Sequence, residues 1–335
     1  METRDRCDFV DANGKIRSIE RRLAVLERQN RFVLGIPRVR PLGSWLRKLR
    51  PRLWDARQYY SRRVWVDADY YSETPPTNPP RIAIVTPSFN QGRFIAATID
   101  SVLSQNYPNL GYLVQDGGSI DETEKVLKSY GDRLRWRSEP DAGQGDAINR
   151  GFHEIDGDIM AYLNSDDMLL PGTLAYVARA FANNPEIHLI YGHRIYIDRF
   201  GLDIGRCVLP LHDEETLKWV DYIPQETLFW RRQVWEAIGP VDESFKFALD
   251  WDFILRAQKA GFSFKRVPRF LACFRVHEQQ KGFSIFDLGE EEMNRIRAKY
   301  LGDIAGQYEV RRAIMGYLLR QMFYDWMYRL RLFHY

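Results

Sequence analysis

The chain has 335 residues, of which 45% are hydrophobic and 28% are charged, and its formal net charge is +3 at pH 7. This length suffices for one large domain with appendages or for two modest domains, and the composition is ordinary for a folded protein. The near-neutral charge argues against a nucleic-acid partner. The three cysteines, Cys7, Cys207 and Cys273, lack metal-ligand spacing, which favours reduced thiols over a disulfide scaffold.

The sequence shows no signal that would carry the chain into a membrane. The N-terminal residues are charged, with no apolar segment like that of a signal peptide behind them. No run of residues approaches the length of a transmembrane helix. We therefore expect a cytoplasmic protein, whose contact with the inner face of a membrane is at most peripheral.

Residues 1–80 are predicted to form a basic N-terminal arm that ends in a stiff Pro-rich linker at 75–80. Within residues 15–34, apolar side chains recur at the a and d positions of a heptad, and Asn30 occupies an a position. This pattern predicts a short parallel coiled coil and hence a homodimer. The alternative is a single amphipathic helix that packs on its own chain.

A basic and aromatic stretch runs from residue 45 to residue 63. Its cations alternate with Trp, Tyr and Leu side chains, a composition typical of segments that contact anionic lipid head groups. A solvated surface arm is an equal alternative, and Pro51 would interrupt a single long helix. Nucleic-acid binding is a weaker third interpretation, because no recognised nucleic-acid module accompanies the stretch.

From Arg81 onward the apolar pattern alternates between the periods of strands and helices. It predicts, in chain order, a strand at 82–86, a helix at 92–106, a strand at 110–115, a helix at 122–130, a strand at 134–138, a helix at 144–154 and a strand at 158–163. Such alternation predicts an α/β domain with a largely parallel sheet and helices on both faces.

Beyond residue 167 the alternation of strands and helices is less regular. A helix at 172–183 leads to a strand at 187–191 and a hairpin over 194–206, which predicts mixed, partly antiparallel structure. The C-terminal helical extension, residues 286–335, contains a broad amphipathic helix that starts near Arg311. Packing of this helix against its own domain or a twin subunit is favoured over contact with a membrane.

Polar residues follow the predicted strand at 158–163, at the end where open α/β sheets bind ligands. Asp166 and Asp167 lie side by side there, after Asn164 and Ser165. Adjacent carboxylates repel each other, so a cation such as Mg²⁺ or Mn²⁺ would explain them. The alternative, equally weighted on these residues alone, is a solvated turn that caps the next helix.

Two further turns of small residues, at 86–92 and 115–121, follow the first two predicted strands. Such turns allow a ligand to approach the backbone closely. Neither contains the glycine pattern of a dinucleotide-binding or P-loop protein. Asp116 can accept hydrogen bonds from a nucleobase or ribose, or from the backbone of its own turn.

These segments, with others in a fixed order, resemble a family 2 glycosyltransferase with the GT-A fold. The resemblance covers residues 81 to about 283, and we place the glycosyltransferase domain at 81–285. No single segment is specific for the family, but the order of the segments across the domain is. The matching segments are 84–90, 115–121, 139–151, 163–167, 224–232, 249–256 and 274–277.

The resemblance implies a binding cleft for a nucleoside diphosphate sugar, with a UDP-sugar favoured and dTDP- or GDP-sugars as alternatives. The residues that it implies around the donor are Thr86, Pro87, Asn90, Asp116, Asp141, Asn149, Asn164 and Ser165. The family's metal-binding Asp-x-Asp falls on residues 164–166, so this chain has an amide where many relatives have the first carboxylate. Asp166 is then the implied metal ligand with His277 beside the metal or diphosphate, and Asp167 supports them.

The resemblance also implies that Asp250 is the base that removes a proton from the acceptor hydroxyl during inverting transfer. Asp252 is the alternative, and a helix N-cap is the structural interpretation of Asp250. The implied contacts of the acceptor or phosphate are Gln225, Glu226, Arg231 and Trp251.

The sequence therefore predicts a metal-dependent inverting glycosyltransferase that acts on a hydroxyl of a carbohydrate or lipid-linked acceptor in cell-surface polysaccharide synthesis. A nucleotidyltransferase is one alternative, but the turn at 86–92 lacks the Gly-rich, Arg/Lys-containing loop that such an enzyme should show. A catalytically silent GT-A scaffold or binding protein is the other, and it is disfavoured because Asp166, Asp250 and His277 are all present.

Overall fold

A computed structural model of the chain describes residues 61–278, 286–302 and 306–335. The strands are β1 (Ile82–Ser88), β2 (Leu110–Asp116), β3 (Arg135–Ser138), β4 (Ile159–Tyr162), β5 (Met168–Leu169), β6 (Leu189–Asp198), β7 (Asp203–Cys207), β8 (Phe229–Arg231) and β9 (Phe264–Val276). The helices are α1 (Ile95–Leu103), α2 (Thr123–Ser129), α3 (Gln144–Glu154), α4 (Thr173–Ala182), α5 (Glu214–Leu217), α6 (Arg232–Ile238), α7 (Leu249–Lys259), α8 (Phe286–Leu301) and α9 (Gln307–Arg329).

The described strands form one mixed sheet in the order β3-β2-β1-β4-β8-β6-β9-β5, with β7 paired to β6. The half from β3 to β4 is parallel, as the alternation of strands and helices predicts. The direction reverses at β8, which runs antiparallel to both β4 and β6. The predicted parallel half and the predicted mixed half are therefore both confirmed.

Alternate residues of β1 face opposite sides of the sheet, as the pleat of a strand requires. Ala83 and Val85 join an apolar core with α3, α6, α7 and α9. Ile82 and Ile84 join a second core with α1, α2 and α4. Helices thus cover both faces, which confirms the prediction.

The helix predicted at 144–154 begins and ends as predicted, whereas β6 joins two predicted elements. The strand predicted at 187–191 and the first arm of the predicted hairpin are one continuous strand. The pairing of β6 with β9 shifts register around Gly192, where an added Cβ would lie 2.6 Å from the Arg269 carbonyl oxygen. This irregularity interrupts the period-two pattern of the strand, so the sequence pattern predicts two separate strands.

The chain before the Pro-rich segment packs on the sheet. Tyr70 is buried, and its hydroxyl accepts a hydrogen bond from the backbone N–H of Phe270. Glu73 forms an ion pair with Arg269 at 3.2 Å. From residue 61 onward, the predicted arm therefore belongs to the same body as the sheet. The predicted coiled coil at 15–34 and most of the basic stretch at 45–63 lie outside the described residues, and the homodimer stays a prediction.

Helix α9 also packs on its own domain. Val310, Ile314, Tyr317 and Leu318 are buried in the core that contains α7. This is the packing that the sequence favoured. None of the described helices is long and apolar enough to cross a bilayer.

We expect Gly151→Ala to destabilise the fold. An added Cβ in α3 would lie 2.4 Å from Cγ1 of Val85 on β1, so helix and strand would have to move apart. The expected loss of unfolding free energy is about 1–3 kcal/mol, measured by urea denaturation.

The matched control is Gly316→Ala in α9, where the nearest atom to an added Cβ is 3.9 Å away, at the Arg320 guanidinium. This substitution should raise the free energy of unfolding by about 0.5–1 kcal/mol through helix propensity alone. Equal effects of the two substitutions would contradict the close packing of α3 on β1.

Candidate active site

One cavity of about 760 Å³ opens at the C-terminal ends of β1 and β4. Its lining comes from the turns after these strands, from the start of α3, from β6, from the loop before β8 and from the start of α7. Many of the lining side chains are acidic, namely Asp141, Asp166, Asp167, Asp221, Glu226 and Asp250.

Asn164 is held at the end of β4 by two amide side chains from other parts of the chain. Its Oδ1 accepts a hydrogen bond from Nε2 of Gln144 at 2.7 Å, and its Nδ2 donates to Oε1 of Gln225 at 3.1 Å. Gln225 in turn donates to the backbone carbonyl of Tyr162 at 2.7 Å. Two of the residues predicted from sequence, Asn164 and Gln225, thus meet in the cavity.

Asp166 and His277 also meet. Nε2 of His277 lies 2.9 Å from Oδ2 of Asp166, and Nε of Arg275 donates to the Asp166 backbone carbonyl at 2.7 Å. A carboxylate oxygen and an imidazole nitrogen are suitable donors for Mn²⁺. Within the described residues no three acidic, His or Cys side chains cluster as metal ligands. Asp166 and His277 therefore fit a Mn²⁺ site whose remaining positions would be filled by water or by diphosphate oxygens.

Asp167 is buried and braces the turn that carries Asp166. Its Oδ1 accepts the backbone N–H of Arg275 at 2.9 Å, and its carbonyl accepts the hydroxyl of Thr98 at 2.7 Å. Burial raises the pKa of Asp167 well above its usual value, and the charges of Asp166 and Glu226 raise this pKa further. The residue therefore holds the turn in shape through these hydrogen bonds, while its surroundings disfavour its ionised form.

Asp250 lies in the first turn of α7, with its side chain in the cavity lining. Ala248 is the N-cap of this helix, so Asp250 does not have the capping position that the structural interpretation gave it. Burial raises the pKa of Asp250 to about 6, against the opposing effects of the backbone N–H of Trp251 and the charge of Arg194. Trp251 also borders the cavity, and its indole N–H donates to the Leu217 carbonyl.

Sequence reasoning missed two charged residues of the cavity. Arg194, on β6, forms a bidentate pair with Glu226, with both nitrogen–oxygen distances at 2.6 Å. Its guanidinium also lies 4.6 Å from the centre of the Phe274 ring. The second missed residue is Asp221, whose Oδ1 accepts the backbone N–H of Ile223 at 3.1 Å. In both cases, the signal available in the sequence was a charged residue within an otherwise apolar segment.

Three of the predicted donor residues shape the turns beside the cavity and are not part of its lining. Thr86 is buried, and its hydroxyl is 3.1 Å from that of Tyr112. Asp116 accepts the backbone N–H of Ser119, which is the structural alternative considered for it, and it also accepts the hydroxyls of Ser119 and Ser138. Asn90 accepts the backbone N–H of Ile120 and so links the turns after β1 and β2. Pro87, Asp141 and Ser165 line the cavity.

Arg231 and Asn149 are placed outside the cavity lining. Arg231 donates to the carbonyls of Ile187 and Phe181, so its guanidinium closes the end of α4. This placement does not fit the predicted contact with the acceptor or phosphate. Asn149 exchanges hydrogen bonds with the backbone of Val241, so its amide fastens α3 to the segment before α7 and does not face the cleft as predicted.

Comparison with known proteins gives the family. The model of glycosyl transferase family 2 matches residues 83–233. An uncharacterized glycosyltransferase of Mycobacterium tuberculosis is 31% identical over 185 residues, which are 54% of this chain and 70% of that protein. The chain belongs to glycosyl transferase family 2. A PGL/p-HBAD biosynthesis glycosyltransferase of Mycobacterium bovis is 30% identical over 187 residues, which are 53% of this chain and 69% of the relative.

Solved structures of low sequence identity show that the fold of this family 2 member is GT-A. A mannosyltransferase of Pyrobaculum calidifontis, in complex with GDP-Man and Mn²⁺, gives a TM-score of 0.54 at 18% identity, covering 73% of this chain and 71% of the other. TarS 1–349 of S. aureus, in complex with UDP-GlcNAc, gives a TM-score of 0.52 at 17% identity, and the match covers 73% of each chain. The chain covers 43% of a longer TarS chain.

We expect Asp221→Asn to stabilise the protein more at pH 8 than at pH 5. Burial, and then the charge of Asp250, raises the pKa of Asp221 well above 3.8, so the folded protein retains a proton that the unfolded chain releases. Stability from this group is present at low pH and is lost as the pH rises. The gain in the free energy of unfolding on substitution should therefore be larger at pH 8 than at pH 5, measured by urea unfolding at the two pH values.

Asp242→Asn is the control for this experiment. The pKa of Asp242 is lowered from 3.8, despite opposing desolvation, because the side chain and backbone N–H of Ser244 donate to its carboxylate. The group therefore titrates below pH 5 in both states, and the effect of the substitution should be the same at pH 5 and pH 8. A similar absence of pH dependence for Asp221→Asn would contradict a raised pKa of Asp221 in the folded protein.

Proposed function

We propose that this family 2 member transfers a sugar, with inversion, from a nucleoside diphosphate sugar to a hydroxyl of a carbohydrate or lipid-linked acceptor in cell-surface polysaccharide synthesis. The donor favoured is a UDP-sugar, with dTDP- and GDP-sugars as alternatives. The observation that carries the proposal is that Asp250 lines the same cavity as Asp166 and the turns after β1 and β4. The residues proposed as the base and as the site for the leaving diphosphate therefore line one cavity.

The donor side of the proposal rests on the turns at the ends of the parallel strands. Pro87, Asp141, Asn164 and Ser165 line the cavity there and are proposed to contact the nucleotide and its sugar. The S. aureus TarS complexes with UDP and UDP-GlcNAc supply the support for a UDP-sugar. The name of the Mycobacterium bovis relative, which refers to PGL/p-HBAD biosynthesis, supports a glycolipid or polysaccharide product.

Asp166 and His277 are proposed to hold Mn²⁺ or Mg²⁺. The bound ion would supply positive charge for the oxygens of the departing diphosphate. The Pyrobaculum mannosyltransferase with GDP-Man and Mn²⁺ supports a metal in this fold.

Asp250 is proposed to accept the proton of the acceptor hydroxyl as its oxygen forms a bond to the anomeric carbon and the bond to the diphosphate breaks. Because burial raises its pKa to about 6, the carboxylate is ionised at neutral pH and is a stronger base than an exposed aspartate. Gln225, Glu226 and Trp251 line the cavity and are proposed to position the acceptor.

We expect Asp250→Asn to lower kcat about 10²–10⁴-fold, because the amide cannot accept the proton. The dissociation constant of the donor, measured by calorimetry, should change little. The kcat/KM of the unmodified protein should rise with pH through about 6, as the Asp250 carboxyl loses its proton.

Asp252→Asn is the matched control on the same helix. Asp252 is buried and pairs with Arg256 at 2.7 Å and Lys299 at 2.9 Å, so its loss should lower the melting temperature and leave kcat within about threefold. Transfer by Asp250→Asn at more than about a tenth of the original rate would remove Asp250 from the base role.

We expect chelation with EDTA to abolish transfer and added Mn²⁺ to restore it. His277→Gln should weaken binding of Mn²⁺ in the presence of UDP at least about tenfold, measured by electron paramagnetic resonance of the free ion. His153→Gln, at an exposed position on α3, is the control and should bind Mn²⁺ normally. Full transfer in EDTA would contradict the proposed metal dependence.

A further inference from the structure

Helix α9 has two apolar faces on opposite sides. Val310, Ile314, Tyr317 and Leu318 point into the core, as described above. On the opposite side, five large apolar residues are exposed, and four of them recur at spacings of three and four residues in a single stripe. The five are Tyr308, Leu319, Phe323, Trp326 and Leu330, and we call them the outer stripe.

The outer stripe is far more apolar than a solvated helix face needs to be. Phe323 is 55% exposed and Trp326 is 50% exposed, although the inner face already supplies the contacts that hold α9 to the domain. Contiguous exposed apolar surface of this kind marks an interaction site. Trp and Tyr are typical of surfaces where an apolar layer meets water.

Cations border the outer stripe. Arg312 lies in the same helical direction as Leu319 and Phe323, at spacings of seven and eleven residues, and is exposed. Arg320 and Arg329 reach Asp213 and Asp325, and both keep part of their side chains exposed. Long basic side chains of this kind can keep their charge in water above buried apolar neighbours.

The described chain also begins beside the C-terminal end of α9. Arg206 donates one hydrogen bond to the hydroxyl of Tyr328 on α9 and another to the backbone carbonyl of Trp65. The ring of Trp65 is exposed. The basic and aromatic sequence therefore ends at residue 63, just before Trp65, which lies beside this helix. The last two cations of that sequence, Arg62 and Arg63, are described and exposed.

We propose that the outer stripe of α9 is the surface through which this protein docks on a bilayer of anionic lipids, with Arg62, Arg63 and Arg312 contacting the head groups. An apolar helix face of this length beside basic residues matches the way peripheral helices bind such surfaces. This inference rests on the proposed function in one respect: docking would bring the enzyme to the membrane that carries its lipid-linked acceptors.

A second copy of the chain is the less favoured occupant. In a two-fold contact each stripe would face its twin, and Arg312, which lies in the direction of the stripe, would be carried with its counterpart into the contact between the two copies. Like charges brought together in this way oppose association, whereas an anionic bilayer attracts them. The charge around the stripe thus selects lipid over self-association.

The test is sedimentation of the full chain with vesicles of neutral phosphatidylcholine, alone or with about 30 mol% phosphatidylglycerol. We expect binding to the anionic vesicles, weakened by salt. The double variant Phe323→Ser/Trp326→Ser should bind at least about tenfold more weakly, because two apolar side chains are lost from the contact. Ile120→Ser, which removes another exposed apolar side chain far along the chain from α9, is the control and should bind normally.

Melting temperatures identify any variant that fails to fold, and light scattering reports self-association. The proposal is overturned if the full chain does not bind anionic vesicles, or if the double variant binds them as well as the unmodified chain. It is also overturned if the unmodified chain is a dimer that does not bind vesicles and the double variant is a monomer. Turnover of the donor in the same samples separates the two proposals. Vesicle binding without any donor turnover would overturn the proposed function and leave the docking surface intact.

Discussion

The cavity depends on one buried ion pair, between Arg194 and Glu226. Asp167, Asp221 and Asp250 all lie within reach of the Arg194 charge, which lowers the pKa of each of them against the effect of burial. Loss of one partner of such a pair typically costs about 3–5 kcal/mol, because the other charge remains buried. Arg194 therefore makes a concentration of carboxylates compatible with a folded protein.

The same carboxylates connect stability to chemistry. Desolvation disfavours the ionised form of Asp250, and this makes its carboxylate more basic at neutral pH. Asp221 lines the cavity under the same desolvation, at a cost in stability when ionised. A cavity of neutral side chains would be more stable, but it would offer no carboxylate for the proposed roles of base and cation ligand.

The fold was largely predictable because its signals are local. The helix at 144–154 and the parallel strands have regular apolar periods, so the sequence determines them element by element. Side-chain direction depends on distant parts of the chain. Arg231 closes the end of α4, although its sequence context matched that of a ligand contact. Arg194 was missed because its partner, Glu226, lies 32 residues away in sequence, so the ion pair exists only in the folded structure.

Asn164 shows how a departure from the family pattern can follow from its surroundings. The backbone carbonyl of Tyr162 can only accept, so the amide of Gln225 must donate to it with Nε2, and this leaves Oε1 of Gln225 facing Asn164. Asn164 donates there with Nδ2 and accepts from Gln144 with Oδ1. An ionised aspartate at this position could accept from Gln144 but could not donate to Gln225, and it would add a negative charge near Asp166 and Asp167. The chain of amides therefore favours asparagine over an ionised aspartate at this position.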